Sequence, residues 1–183
     1  ELQTRYIALF ESQGISVAIM SQLIDIVDRD GNNNESSPSY NTILVQNLYV
    51  VAQILSNYTA KPEYNLYNNP KYVELFIGLI PTLATETKSL SIGDAGSVAH
   101  TKAFGYLNYW FDTFDKMKDT VYGPKIANYI YMRNGFTTEG LNYGIYAKDP
   151  ERIQKEILER IDPEYRQEST NMTGYGLAIL HDG

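Results

Sequence analysis

Proline placement constrains this chain more than any other feature of its sequence. Pro38, Pro70, Pro124 and Pro150 each head a stretch whose apolar residues recur every three or four positions. Proline suits only the first turn of a helix, where its missing amide would be unpaired in any case and its fixed φ is already helical. The combination predicts helix starts at Ser37-Pro38, Pro70, Gly123-Pro124 and Asp149-Pro150.

The first predicted helix runs from Pro38 to about Tyr58, with the Ser37 hydroxyl as its cap. Leu44, Leu48, Val51, Leu55 and Tyr58 form one stripe, and Ile43, Val50 and Ile54 carry apolar character further around the cylinder. No charged residue stands between Glu35 and Lys61. A helix apolar on most sides is expected at the centre of a fold, packed by neighbours on several faces. Pro70 opens a segment through Val73, Phe76, Ile77 and Ile80, which Pro81 must kink or end. After the turn at Gly93-Asp94-Ala95-Gly96, a long aromatic helix is predicted from Ser97 to about Lys118. Ala99, Ala103, Tyr106, Trp110, Phe114 and Met117 line one side of it.

Gly123-Pro124 begins a shorter helix that should end in a left-handed cap at Asn134-Gly135. Asp149-Pro150-Glu151 combines a carboxylate cap, a first-turn proline and an acid near the positive end of the helix dipole. Ile153, Ile157 and Ile161 supply that helix with a buried face. Glu151/Lys155 and Glu156/Arg160 are spaced for surface pairs worth about 0.3 kcal/mol each. Near the N-terminus, Tyr6 to Val27 also recurs at helical spacing, with a break at Gln13-Gly14. No region alternates cleanly at period two, although Leu177 to Leu180 reads as a short extended piece. The expected fold is all-α, an irregular multi-helix bundle, with a short α-solenoid of helical hairpins as the alternative. Residues 1–168 form a single helical domain in this reading, and residues 169–183 an irregular C-terminal tail.

Charge and composition then exclude several functions. A net charge of −7 without any Lys/Arg cluster disfavours nucleic acid, whose phosphates require clustered cations. The apolar run Ile43 to Leu55 is interrupted by Gln46, Asn47 and Gln53 and falls short of the ~20 residues of a spanning helix, so no membrane insertion is expected and the chain should be soluble. Without cysteine there is no thiolate nucleophile, Cys-ligated metal or disulfide. Opening on Glu1 rather than Met, the chain is expected to be a processed product or a piece of something longer.

Few residues have the chemistry of a site. His100 and His181 are the two histidines. Around His100 the positions three and four residues away are Gly96, Ser97, Ala103 and Phe104, which supply no second metal ligand on a helix face. Asp112 and Asp115, beside Lys116 and Lys118, read as a solvated helix face rather than an acid–base pair. Gly174-Tyr175-Gly176 is too short for a dinucleotide loop, and no phosphate loop is present. Asp28-Arg29-Asp30-Gly31-Asn32-Asn33-Asn34 places oxygens at alternate positions after a helix and resembles the opening half of an EF-hand calcium loop. The resemblance implies Asp28, Asp30 and Asn32 as metal ligands and calcium as the one cofactor. Asn33 stands where glycine is usual, Glu35 where an aliphatic is usual, and Ser39 where the bidentate glutamate belongs.

Sixteen tyrosines supply rings that are apolar at one end and wet at the other, as contact surfaces require. His100, Tyr106, Tyr109, Tyr129 and Tyr143 are accordingly the candidate interface or ligand residues. The expected function is a non-catalytic structural or protein–protein interaction and assembly module, such as a virion or cell-surface component, working as a homo- or hetero-oligomer. The alternative is a ligand-binding or hydrolytic helical domain with an aromatic pocket near His100.

Overall fold

A computed structural model describes residues 23, 25–35, 37–85, 88–94, 107–141 and 149–182. The four helix starts predicted at prolines are found, while the start predicted at Ser97 and most of the stretch Tyr6 to Val27 lie outside the described residues. Helix α1 spans Pro38–Ser56 and α2 Pro70–Ile77, joined by two single 3-10 turns at Pro62–Tyr64 and Leu66–Asn68. Helices α3 (Leu107–Met117), α4 (Gly123–Arg133) and α5 (Pro150–Leu158) follow. Their caps are local. Asn69 Oδ1 accepts from the amide of Lys71 at 2.9 Å to open α2, and Asp149 Oδ1 accepts from Arg152 at 3.3 Å to open α5. Gly135, at φ +75°, supplies the left-handed residue after α4. Ser37 departs from expectation: its hydroxyl bonds Ser39 Oγ at 3.0 Å and caps no amide.

The all-α expectation is overturned. Among the described residues five helices are joined by four short strands in two hairpins, so the fold is mixed α and β with small sheets, and neither the helical bundle nor the solenoid describes it. Strands β1 (Leu83–Thr85) and β2 (Lys88–Ser89) pair antiparallel just after Pro81, where the chain can no longer continue as helix. Strands β3 (Thr170–Met172) and β4 (Leu177–Ile179) pair Thr170 with Ile179 and Met172 with Leu177. That hairpin occupies the segment expected to be irregular. None of the strands exceeds three residues, which is too short for period-two alternation to register in sequence.

Aromatic packing holds the helices together. Trp110 of α3 is fully buried, with Phe76 of α2 edge-on at 4.5 Å and Tyr129 of α4 at 3.9 Å between ring centroids. Val45, Leu48 and Ala52 of α1 and Ile153 and Ile157 of α5 complete the same core. The loop before α1 enters this core through a tight contact. Gly31, at φ +79°, lies so close to α2 that a Cβ there would sit 2.0 Å from the Glu74 carbonyl oxygen, so no other residue fits.

The charged face of α5 pairs differently from its expected in-helix spacing. Glu156 takes Lys118 at 2.6 Å and Arg152 at 2.9 Å, and Arg160 turns to Asp119 at 3.5 Å. Docking α3 beside α5 brings Lys118, just past the end of α3, closer to Glu156 than Arg152 of the same helix.

Candidate functional site

Helix α1 is held by one face. Asn41, Val45, Leu48, Tyr49, Ala52 and Leu55 are buried, and three polar contacts set the rotation of the helix about its axis. The Asn41 amide nitrogen donates to Asn32 Oδ1 at 2.9 Å while its oxygen accepts from the Asn33 amide at 2.8 Å. The Tyr49 hydroxyl donates to Asp112 in a short hydrogen bond, and its ring lies 4.4 Å from that of Tyr109. Gln53 Nε2 donates to the Tyr67 hydroxyl at 2.8 Å. Burial pushes the Tyr67 phenol up to about 12, and burial also raises Tyr49 and the Asp112 carboxyl above their ordinary values.

The opposite face of α1 is left in water. Tyr40, Ile43, Val50 and Ile54 are 41%, 51%, 54% and 66% exposed, and Asn47 between them is exposed as well. Their steps alternate three and four residues, so they fall in one line along the helix. Leu44 and Val51 border the line on one side and Gln46 and Gln53 on the other, half-buried and uncharged. Val121, Leu158 and Leu180 are also exposed but stand singly, as scattered surface apolar residues do on most proteins. Burying one side chain of this size is worth about 1.5–3 kcal/mol. Covering four that are roughly half exposed therefore offers on the order of 4 kcal/mol.

Sequence reasoning took Ile43, Val50 and Ile54 as evidence of a central helix packed on several sides, and α1 is instead a helix with one wet apolar face. The signal was present in the three-four spacing from Tyr40 to Ile54. An equally apolar second stripe masked it.

Those residues singled out in the sequence that the structure describes do not converge on a site. His100, Tyr106 and Tyr143 lie outside the described residues. Tyr129 is buried in the core against Trp110, with Arg133 donating to its hydroxyl at 3.1 Å. Tyr109 is half-buried behind α1. In the calcium-like loop, Asp28 Oδ1 accepts from the amides of Asp30 at 2.8 Å and Asn32 at 3.0 Å. Asp30 Oδ2 accepts from the amides of Gly174, in a short bond, and Tyr175 at 3.1 Å. The Asn32 side chain is fully buried against Asn41. The three oxygens thus face three different sets of donors, and no group of three or more His, Asp or Glu side chains able to hold a metal occurs among the described residues.

Asp112 and Asp115 are not the solvated pair their spacing suggested. Asp112 is half-buried under Tyr49. At Asp115 burial would raise the pKa, but Arg152 at 3.0 Å and Lys118 at 3.5 Å outweigh it and lower the net value. A cleft of 490 Å³ opens between the end of α2, the start of α4 and residues 165–170. Its walls carry Arg29 and Lys125 together with Asp30, Glu74 and Glu168, so charges of both signs are mixed along it.

No described helix is long and apolar enough to cross a membrane. Comparison with family models, curated proteins and solved structures finds no significant match to this chain.

Proposed function

We propose that this protein is a non-catalytic protein-interaction module whose working surface is the outer face of α1. The observation that carries the reading is the aligned, half-exposed row Tyr40, Ile43, Val50 and Ile54 on a helix without a charge. Charged residues are depleted and large apolar and aromatic ones enriched at the centres of protein interfaces. Association costs on the order of 4–15 kcal/mol in lost freedom, so one such face supports a weak contact unless its partner brings apolar surface of its own. The helix is already formed by its buried side, and binding therefore orders little backbone.

A photo-crosslinking amino acid in place of Val50 tests this in the native host. Protein adducts at position 50, absent when the same group replaces Lys155, are the expected result. Labelling no greater than at the Lys155 control would show a solvated face and refute the reading.

A further inference from the structure

We infer that the occupant of the α1 face is a second copy of this chain, packed antiparallel about a two-fold axis through Asn47. The inference rests on reading that face as an interaction surface and goes on to name its partner.

Shape comes first. The line Tyr40, Ile43, Asn47, Val50, Ile54 has the a/d spacing of a helix–helix seam, narrow enough to be filled by one helix laid alongside. A flat partner would leave the sides of α1 uncovered.

The seam is also nearly the same read in either direction from Asn47. Tyr40 and Ile54 lie seven residues to either side, and Ile43 and Val50 lie four before and three after. A perpendicular two-fold axis at Asn47 lays Tyr40 of each copy against Ile54 of the other and sets Ile43 and Val50 opposite the half-buried Val51 and Leu44, which border the row. Antiparallel helices also set their macrodipoles in opposition, which is the favourable sense.

Asn47 is the residue that selects a copy over an unrelated apolar surface. Its carboxamide carries both a donor and an acceptor, so two of them on the axis satisfy each other. Against a wholly apolar partner the same group would be buried without a hydrogen bond. A single polar residue in such a seam fixes register at some cost in affinity.

Charge points the same way. Each copy carries −7, so most faces of two copies repel. Between Glu35 and Lys61 there is no charge, and the α1 face is where two copies meet without placing like charges opposite each other.

The natural chain has no cysteine, so single cysteines report distance without background. Sedimentation of the unmodified chain should move from one-chain to two-chain mass as concentration rises. Val50→Glu, at an exposed position that leaves the core intact, should raise the dissociation constant about tenfold or more. Under mild oxidation Asn47→Cys should dimerise about tenfold faster than Lys155→Cys. A mixture of Tyr40→Cys and Ile54→Cys should cross-link as the mixed pair. A one-chain mass at every concentration with no preference at position 47, or self-linking of Tyr40→Cys alone, would overturn the inference. Val50 photo-adducts to a different protein, together with one-chain mass, would overturn the second copy and leave the interaction reading standing. Absence of both adducts and two-chain mass would remove the two together.

Discussion

Asp112 shows how a residue that looks ordinary in sequence acquires a role from its surroundings. Its i+3 neighbour Asp115 and the lysines that follow imply a wet helix face, yet the Tyr49 hydroxyl covers it and burial raises its pKa above 3.8. The linkage has a definite sign. A carboxyl whose folded pKa is raised contributes its full stability below the unfolded pKa, where it is protonated in both states. That contribution is lost as pH rises through the folded pKa. Asp115 and Glu156 behave oppositely: their folded values are lowered, so their contribution is present above the unfolded pKa and lost as pH falls through the folded one. Asn in place of Asp112 keeps an acceptor for Tyr49 without a charge to desolvate. Asp112→Asn should therefore be more stable than the natural chain at about pH 7, and the gap should close near the ordinary carboxylate pKa of about 4. Thermal melts of both chains across that range provide the check. An unchanging gap would mean that Asp112 titrates normally.

Elements divide into those stabilised within a few residues and those that need a distant partner. Helix α5 belongs to the first kind: Asp149, Pro150 and Glu151 announce it, Ile153 and Ile157 bury it, and it is legible in the sequence alone. The β3–β4 hairpin belongs to the second. Its ladder is three residues long, and it is seated by Met172 in the protein interior and by Asp30 Oδ2 receiving the amides of Gly174 and Tyr175. Those partners are 144 and 145 residues apart in sequence, which no local pattern reports. Asp30→Ala removes a charged acceptor from two amides, an interaction typically worth about 1.5–3 kcal/mol per bond. The expected outcome is loss of amide-exchange protection over 170–179 while α3 and α4 keep theirs, because hairpin and core open separately. Uniform loss across the chain would show that hairpin and helices unfold as one unit.

At the scale of the whole molecule, surface charge and the α1 face act against each other. Raising salt from about 0.1 M to about 1 M shortens the screening length from about 10 Å to about 3 Å. If two copies of net charge −7 meet on an uncharged seam, salt weakens their repulsion and removes no attraction, so the two-chain fraction at fixed protein concentration should rise. A fall on adding salt, followed by sedimentation, would reveal ion pairs holding the contact and place it elsewhere on the surface. Local chemistry was sufficient to specify where the four proline-headed helices begin, since first-turn prolines and three-four apolar spacing act within a turn or two of chain. The same reasoning placed Ile153, Ile157 and Ile161 on a buried face and Trp110 and Phe114 on one stripe; all are buried except Ile161, which is half-buried. Three things were decided only when the chain closed on itself: the two small hairpins, the partners of Glu156 and Asp112, and which apolar side of α1 faces water. Both sides of α1 are hydrophobic enough to be core, and periodicity cannot rank them. The choice was made by groups outside the helix, Asp112 under Tyr49, Tyr67 under Gln53 and the buried Asn32 beside Asn41, which all bond its inner face.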